Sequence, residues 1–453
     1  MIKFAETKLL NLSKFNKVMN FRYFLPLILT ICSLQSLQAQ KKYTLQECVD
    51  IALENNRNIK QQALNKQQKE VAYSQARTDL LPNLNASMGQ SFVYGRSIGI
   101  DNTYQNINSS QSSFNISSDI TLFDGLKMKY NIDARKAEMY ISEADLEKIQ
   151  DDIIMSVSTA FMQVLMNKEL LEIANDQIEL TEINIRRLNE LVKSGKMAKG
   201  ELLELEAQQA QEEFNQIQAV NNLKLSLLDL AQIMELEDFE NFDVEVPENI
   251  MIDEGILLSP TNIYESALIA RPEIRGAQYR VESSEKEIMI AKSAYFPSLS
   301  FGASMGSGYY NMSGRPNESF GTQLKNNRST SLGFSLRIPI FNRFQVRNSV
   351  KNAQYALEYS KLEIDKTKLD LRKRIEQAYY NAIGAESRWE AAQKSEIASQ
   401  EAYRFAEQKY ENGRATSYEL SQAKTNLAKV LADQAQAKYE YVFRLKILEL
   451  LKD

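Results

Sequence analysis

Two long stretches of this chain contain no proline, and this constrains its fold more than any other feature. The eight prolines stand at positions 26, 82, 247, 260, 272, 297, 315 and 339, which leaves residues 83–246 and 340–453 without any. Between positions 100 and 254 the glycines are Gly125, Gly195 and Gly200. Because proline and glycine are the residues that most often interrupt helices, the sequence predicts long unbroken helices.

The apolar residues inside these stretches favour coiled coils. Steps of three, four and seven separate Leu146, Ile149, Ile153, Val157, Ala160, Val164, Leu171, Ala174 and Ile178. This spacing predicts a helix over about 125–193 with an apolar seam, roughly 100 Å long at 1.5 Å per residue. Gly195 ends it, and a return helix is expected over 201–235. A second long helix (343–411), Gly413 and a return helix (417–449) repeat the pattern, so we expect two antiparallel helical hairpins.

The chain is an internal duplication. Leu81-Pro82-Asn83-Leu84 matches Phe296-Pro297-Ser298-Leu299 at an offset of 215, and Leu122-Phe123-Asp124 matches Ile340-Phe341-Asn342 at an offset of 218. A repeat of this length indicates a duplicated domain rather than a short solenoid unit. We therefore expect a first repeat over 40–235, an acidic linker or equatorial segment over 236–262, and a second repeat over 263–453. Asp124 and Asn342 are the expected N-caps of the long helices.

Each repeat also contains two stretches that alternate with a period of two. Strands of about ten residues are expected at 83–93, 112–123, 298–308 and 331–341, each with one apolar face and one small or polar face. The clearest apolar series are Phe114, Ile116, Ile120 and Leu122, and then Leu332, Phe334, Leu336, Ile338 and Ile340. A helix precedes each pair of strands, at about 45–80 and 272–294. The fold class is therefore mainly α, with long helical hairpins and four strands of membrane-spanning length.

The first 39 residues have the form of an export signal. Arg22 precedes an apolar run over 23–34, and Leu37-Gln38-Ala39 resembles a cleavage site. The signal is most regular when it begins at Met19, which is the expected start. Lipidation of Cys32 is not expected, because bulky Ile31 stands where a small residue is required. The mature chain is predicted to be exported.

Composition argues against most enzymes and against nucleic-acid binding. The chain has 54 bases, 59 acids and no histidine, and its net charge of −5 does not favour nucleic acid. Removal of the signal peptide leaves Cys48 as the only thiol, so no internal disulfide and no cysteine metal cluster are expected. We expect no enzymatic activity, no cofactor and no metal.

The two parts of each repeat together indicate an assembled tube. Strands with a lipid-facing apolar side and a polar side fit the wall of an outer-membrane β-barrel, but four strands are too few to close one. Open strand edges are not tolerated in lipid, so several chains must share one barrel. The helical hairpins then extend away from the membrane and bury their seams against neighbouring helices.

The residues resemble the TolC-type outer-membrane efflux proteins over nearly all of the mature chain. The resemblance rests on the duplication, on Leu122-Phe123-Asp124-Gly125, Ile338-Pro339-Ile340-Phe341-Asn342 and Ala270-Arg271-Pro272-Glu273-Ile274, and on the turns at Gly195 and Gly413. It implies a homotrimer in outer-membrane lipid, with a shared 12-stranded barrel and a periplasmic α-helical tunnel. It also implies docking through a periplasmic adaptor onto an inner-membrane pump of the RND or ABC type.

The resemblance assigns roles to two sets of residues. The expected adaptor-docking tips are Gly195, Lys196, Met197, Gly413, Arg414 and Ala415, and the candidate periplasmic gate is Glu201, Glu204, Glu419 and Gln422. Asp119 and Arg337 match at the 218 offset on the polar strand faces, and they are expected in the barrel lumen because a charge facing lipid would cost about 2–4 kcal/mol. The family tip often reads Gly-Leu, whereas Lys196 and Arg414 follow the glycines here, which implies a more acidic adaptor tip or a different docking register.

Alternatives stay open for both the gate and the function. The gate acids also suit the first turns of the return helices, where the helix dipole favours negative charge. The leading function is passive export of small molecules such as drugs, metals or other toxic compounds. The alternatives are the outer-membrane channel of a type I protein secretion system and a purely structural exported coiled-coil protein.

Overall fold

The computed structural model describes residues 42–98, 102–106, 108–237, 241–247, 259–313 and 316–452. The predicted signal peptide, Met19 and Cys32 lie outside these residues. Among the described helices, none is both long and apolar enough to cross a membrane.

Helices make up most of the described chain. In chain order they are α1 (Leu45–Asn55), α2 (Arg57–Thr78), α3 (Lys127–Lys193), α4 (Lys199–Ile233), α5 (Pro260–Ala270), α6 (Pro272–Ser293), α7 (Phe320–Asn326), α8 (Gln345–Glu411) and α9 (Ser417–Lys452). The two longest, α3 and α8, have 67 residues each. At 1.5 Å per residue each spans roughly 100 Å, the length that the sequence predicts.

In the part of the chain that the structure describes, the strands form one main sheet and two small ones. In chain order they are β1 (Lys42–Tyr43), β2 (Asn85–Val93), β3 (Arg96–Ile98), β4 (Tyr104–Asn106), β5 (Ser109–Phe123), β6 (Asp243–Val244), β7 (Ser298–Met312) and β8 (Ser329–Arg337). The main sheet has the order β2-β5-β7-β8, and every neighbouring pair is antiparallel. In the described chain, β2 and β8 are its two unpaired edges.

The helices reproduce the duplication almost residue for residue. The bounds of α1 and α2 recur in α5 and α6 after 215 residues, and those of α3 recur in α8 after 218 residues.

The expected single helix over 45–80 is divided at Asn56, whose side chain accepts a hydrogen bond from the Asn58 backbone N–H at 2.9 Å. Asn56 is thus an N-cap inside the expected helix. Arg271 divides α5 from α6 at the matching place, and α5 itself is a helix that the sequence interpretation did not predict.

The strands differ from their expected bounds at both ends of the sheet. β5 begins three residues earlier than expected, and β7 continues to Met312, because cross-strand pairing extends into polar segments that lack apolar alternation. β8 ends at Arg337, so Ile338 and Ile340 do not extend the strand as expected, and the Ile340 side chain is 94% exposed. Pro339 has no backbone N–H to donate to a strand partner, which accounts for the early end.

The turns from strand to long helix are tight and left-handed in both repeats. Gly125 and Leu126 have φ values of 71° and 68°, and Arg343 and Phe344 have values of 53° and 62°. The N-caps are therefore Leu126 and Phe344 rather than the expected Asp124 and Asn342. Asp124 still stabilises the helix start, because its carboxylate accepts a hydrogen bond from the Met128 backbone N–H at 3.1 Å.

Glycine is required at position 125 by the left-handed φ and also by a close contact that a side chain would make. We therefore expect Gly125→Ala to destabilise the protein by at least about 2 kcal/mol. A Cβ at this position would lie 2.6 Å from the carbonyl oxygen of Ser293. The matched variant Arg343→Gly relieves a left-handed conformation at the equivalent turn and should be neutral or stabilising. Thermal melting of the detergent-solubilised variants measures both effects. A Gly125→Ala protein as stable as the wild type would contradict this account of the turn.

The long helices lie side by side in a row. α3 packs against α2, α4, α6 and α9, and α8 packs against α6 and α9. By their main contacts the helices follow the order α2/α4, α3, α6/α9, α8, with a smaller contact between α4 and α9. The outer helices α2, α4 and α8 also carry apolar side chains that no other part of the described chain covers. Each repeat contributes one apolar core where its short helices meet its long helix, and Val157 and Ile375 occupy matching positions in the two cores.

Residues 241–247 of the acidic segment between the repeats form a small accessory layer. Asp243 and Val244 pair in parallel with Lys42 and Tyr43. Val244 is fully buried, and the Asp243 carboxylate forms an ion pair of 2.5 Å with Lys168 on α3. Residues 238–240 and 248–258 of the expected linker lie outside the described residues.

Candidate functional site: hairpin tips, gate residues and strand faces

Both hairpins reverse through the same glycine-terminated turn. Gly195 has a φ of 72° and its N–H donates to the carbonyl of Val192 at 3.0 Å, while the Lys196 N–H donates to Leu191 at 2.9 Å. The second tip repeats both bonds, with Gly413 N–H to Tyr410 at 3.0 Å and Arg414 N–H to Lys409 at 2.8 Å. This is the Schellman arrangement, in which the left-handed residue is favoured as glycine. The two tips therefore have the same backbone geometry.

The side chains after the two glycines point away from the core. Lys196 and Arg414 are exposed, and neither forms an ion pair with a residue that the structure describes. Met197 is partly buried against the cluster of Leu188, Leu202 and Leu205, and Ala415 is partly buried. Met197 thus covers the end of the first hairpin, which leaves the two bases as the outward-facing groups of the tips.

Glu419 has a structural partner at the start of α9. Its carboxylate accepts a hydrogen bond from the Thr416 backbone N–H at 3.3 Å, and its own N–H donates to the Thr416 hydroxyl at 3.2 Å. This reciprocal pair is a capping box, which stabilises the first turn of a helix. The residue is nevertheless exposed. Capping and a gate charge are therefore compatible at this position.

A glutamine separates these two roles, because it preserves the capping box while it removes the charge. We expect Glu419→Gln to lower the cation preference of the channel in planar bilayers and to leave its melting temperature unchanged. Glu419→Ala removes both properties and should also cost about 1 kcal/mol of stability. Unaltered ion selectivity in both variants would leave Glu419 with the capping role alone.

The other three gate candidates differ in their surroundings. Glu201 lies near Tyr410 and contributes, after burial, to the raised pKa of that phenol. One oxygen of Glu201 is buried without a hydrogen-bond partner in the described residues. Glu204 accepts a hydrogen bond from the Ser417 hydroxyl at 3.2 Å, and Gln422 is exposed. The hydrogen bond between Ser417 and Glu204 therefore connects the two return helices.

A buried polar seam between α4 and α9 was not predicted. Its deepest member is Lys424, which is 3% exposed and forms an ion pair of 3.0 Å with Glu212. Lys424 also donates to the Thr181 hydroxyl and to the Gln177 carbonyl on α3. Burial lowers the pKa of Lys424, and the Glu212 carboxylate opposes that shift. Removal of one partner of such a pair typically costs about 3–5 kcal/mol.

A sequence signal for this seam exists. Lys424 lies between Leu420 and Leu427 at helical spacing, and both leucines are buried. A charge on an otherwise apolar helix face indicates a buried partner. The partner itself, Glu212, is 212 residues away in the sequence, so its identity could not be read from the local pattern.

The main sheet has one polar and one apolar face. On the polar face the cross-strand rows are Asn85-Ser117-Ser304-Ser331, Ser87-Asn115-Gly306-Ser329 and Asp119-Gly302-Gly333. On the other face they are Ala86-Ile116-Met305-Thr330, Ile120-Phe301-Phe334 and Ser118-Ala303-Leu332. This separation is typical of a membrane strand with a lipid-facing side and a polar side.

Asp119 and Arg337 are the charged residues of β2, β5, β7 and β8, and the register places both on the polar face. A carboxylate oxygen of Asp119 lies 3.0 Å from the position that a Cβ on Gly302 would occupy. Glycine at 302 therefore lets the carboxylate lie across the neighbouring strand. Among the described residues, no group of three or more Cys, Asp or Glu side chains is arranged to hold a metal ion.

Comparison with known proteins decides the family. The sequence matches the outer membrane efflux protein family over residues 48–234 and 263–451, which are the two repeats. The chain belongs to the outer membrane efflux protein family. Members of this family are outer-membrane channel and transport proteins, and the chain is accordingly an outer-membrane efflux protein.

Individual relatives are distant but extensive. The efflux protein is 23% identical over 383 residues to toxin and drug export protein A of Aggregatibacter actinomycetemcomitans. This alignment covers 82% of the chain and 78% of the relative. It is also 23% identical over 384 residues to outer membrane protein TolC of Escherichia coli strain K12, in an alignment that covers 82% of this chain and 74% of TolC. Its fold matches a membrane protein from Pseudomonas aeruginosa with a TM-score of 0.76 at 19% identity, over 92% of this chain and 94% of that chain.

Proposed function

We propose that three copies of this chain form an exit duct, which passively conducts small toxic molecules from a periplasmic adaptor and an inner-membrane pump to the outside. The observation that carries the proposal is the incompleteness of the chain at two levels. The sheet ends in unpaired strands, and the row of helices ends in apolar faces with no neighbour in the described chain. A further copy completes both surfaces at once.

The strand edges suit closure of a barrel. β2 and β8 have nine residues each, and the order of the sheet makes them antiparallel to one another. An antiparallel pair between β8 of one chain and β2 of the next therefore continues the alternation of strand directions. Three copies give twelve strands, the number that the family resemblance implies, and leave no open edge in lipid.

The outer helices support the same assembly. Large apolar side chains project from the free side of α8 at Tyr355, Tyr359, Leu362, Leu369 and Tyr380. On the other end of the row, α2 and α4 expose Leu64, Val71, Phe214, Ile217 and Leu225. Exposed apolar stripes of this extent mark an interaction surface.

With the polar strand face turned inward, Asp119 and Arg337 lie in the lumen, and the four gate candidates line the periplasmic mouth.

Deletion of the gene in its own host tests the proposed cargo. We expect the deletion strain to accumulate small toxic dyes, and to recover when the wild-type chain is restored. Loss of a secreted protein with normal dye efflux would instead favour a type I secretion channel. A deletion strain with normal dye efflux and normal protein secretion would contradict the duct altogether.

A further inference from the structure

The short helix α7, between β7 and β8, lies against the apolar face of the main sheet. The Phe320 ring of α7 contacts the rings of Phe114 and Tyr309, with centroids 6.3 and 5.3 Å apart. The Ser307 hydroxyl donates to the carbonyl of Leu324 at 2.6 Å. The register places all three of these strand residues on the apolar face. The connection between β7 and β8 therefore folds over that face and not over the polar one.

Side-chain amides hold α7 at the edge of β7. β8 pairs with the first nine of the fifteen residues of β7, so within the described chain the outer part of β7 has no strand on that side. Gln323 accepts a hydrogen bond from the Tyr310 N–H at 2.9 Å and donates to the Tyr310 carbonyl at 3.0 Å. Asn327 donates to the Gly308 carbonyl at 2.8 Å. These amides satisfy the backbone groups that a neighbouring strand would otherwise bind, and they fix the position of α7.

The apolar face ends at the level of α7. Along β7 it runs from Leu299, beside the helices, to Tyr309, and the next residue on the same face is Asn311. Ten residues span about 34 Å of strand, and a tilt of about 40° reduces this to about 26 Å. Outer-membrane strands have an apolar band of about 25 Å. α7 therefore lies at the boundary of the band that is far from the helices.

Exposed bases follow the aromatic residue of α7. Lys325 and Arg328 are exposed, and neither forms an ion pair with a residue that the structure describes. The described acid of this connection is Glu318, which accepts a hydrogen bond from the Asn326 side chain at 3.2 Å. The Phe320 ring remains 49% exposed. The connection thus combines an exposed ring with an excess of positive charge.

We propose that α7 and the two bases after it bind the phosphate-bearing glycolipids of the outer leaflet. The Phe320 ring lies among the acyl chains, and Lys325 and Arg328 bind the phosphates of the headgroup. The proposal rests on the proposed duct, which turns the apolar strand face to lipid and the helices to the periplasm. It goes further because it gives a ligand to a segment that the duct itself does not use.

The surroundings of α7 favour a lipid over a soluble anion or a protein. The surface is continuous with the apolar strand face, which meets lipid in the proposed duct. Aromatic side chains concentrate at such a boundary because one side of the ring is apolar and the other is wet. Bases at the same level attract anionic headgroups. A soluble phosphate would meet only two exposed bases, which water and salt screen.

Removal of both charges tests the proposed lipid contact. Each base near an anionic lipid surface contributes about fivefold to binding, so Lys325→Gln with Arg328→Gln should weaken lipid A binding roughly 30-fold. The full-length protein in detergent is titrated with bisphosphorylated lipid A, and native mass spectrometry counts the bound lipid. The wild type should prefer this lipid to lipid A without phosphates. Excess inorganic phosphate should not displace the lipid, because its acyl chains contribute to binding.

Two further variants separate this surface from general charge effects. Lys224→Gln with Lys394→Gln removes two exposed bases from α4 and α8, remote from the sheet, and should bind lipid A as the wild type does. Gln323→Ala changes no charge but removes both hydrogen bonds to Tyr310. It should weaken lipid binding severalfold, because α7 is then no longer held at the boundary of the apolar band.

The outcomes distinguish the lipid contact from the duct. Phosphate-dependent binding that falls in the Lys325/Arg328 and Gln323 variants, and not in the Lys224/Lys394 control, supports the proposal. A trimer without preference for the phosphates, an equal loss in the control, or unchanged binding in either test variant overturns the lipid contact and leaves the duct intact. The same spectra report the mass of the lipid-free protein, and a monomer there contradicts the duct.

Discussion

Reversal of both tip charges, with Lys196→Glu and Arg414→Glu in one chain, should abolish export while the protein remains folded in the outer membrane. The two bases follow structurally equivalent turns, are exposed, and lie at the end of helices roughly 100 Å long. Three chains would present six such tips. Since the tips are far from the strands, the reversal should change docking to a partner and not insertion. Export is measured as dye efflux and insertion as protein recovered in the outer membrane.

A control with the same charge change lies one to two helical turns from the tips. Lys193→Glu with Lys409→Glu also replaces two exposed bases by acids, at the ends of α3 and α8. It should cost about 0.3–1 kcal/mol per site through the helix dipole and retain most of the export. Cysteine crosslinking from positions 196 and 414 to the adaptor provides a direct readout. Full export in the tip reversal would show that docking occurs elsewhere, for example at the barrel loops near Asn102 or Asn317.

An arginine on the apolar strand face should prevent assembly, whereas the same arginine one residue along should not. Ile116 lies opposite Met305 on the apolar face, and Ser117 lies opposite Ser304 on the polar face. An arginine facing lipid near the midplane costs about 2–4 kcal/mol, and a trimer would bear that cost three times. We expect little Ile116→Arg protein in the outer membrane and near-normal amounts of Ser117→Arg. Equal behaviour of the two variants would show that the assignment of the faces is wrong.

The sequence predicted the features that depend on local pattern. The long helices were readable because proline and glycine are absent and apolar residues recur at helical spacing. Left-handed glycines at 195 and 413 were readable because a helix that reverses needs such a residue. The two strand faces followed from alternation alone. These are the properties that a short segment specifies without its neighbours.

The features that were missed depend on contacts between distant segments. The outer ends of β5 and β7 pair through serine, asparagine and tyrosine, and such residues show no apolar alternation. The early end of β8 reflects Pro339 in a segment that the alternation would have continued. The N-caps were misplaced by two residues because Leu126 and Phe344 adopt a left-handed conformation that apolar residues rarely take.

The candidate site was predictable only in part for the same reason. Glu419 was correctly placed in the first turn of its helix, but its capping partner Thr416 was not identified. Lys424 escaped notice because its acidic partner lies on another helix of the other repeat. Networks of this kind are specified by the packing of the two repeats and not by any one of them.

The central claim is that one chain supplies only part of the wall of a duct, and the mass of the detergent-solubilised protein tests it most directly. In the described chain the four-stranded sheet has two open edges and the outer helices expose apolar side chains, and in the proposed duct further copies cover both. Native mass spectrometry of the wild-type protein should show a single species with three times the mass of the mature chain. A stable, folded monomer at the same detergent and protein concentrations would contradict the account.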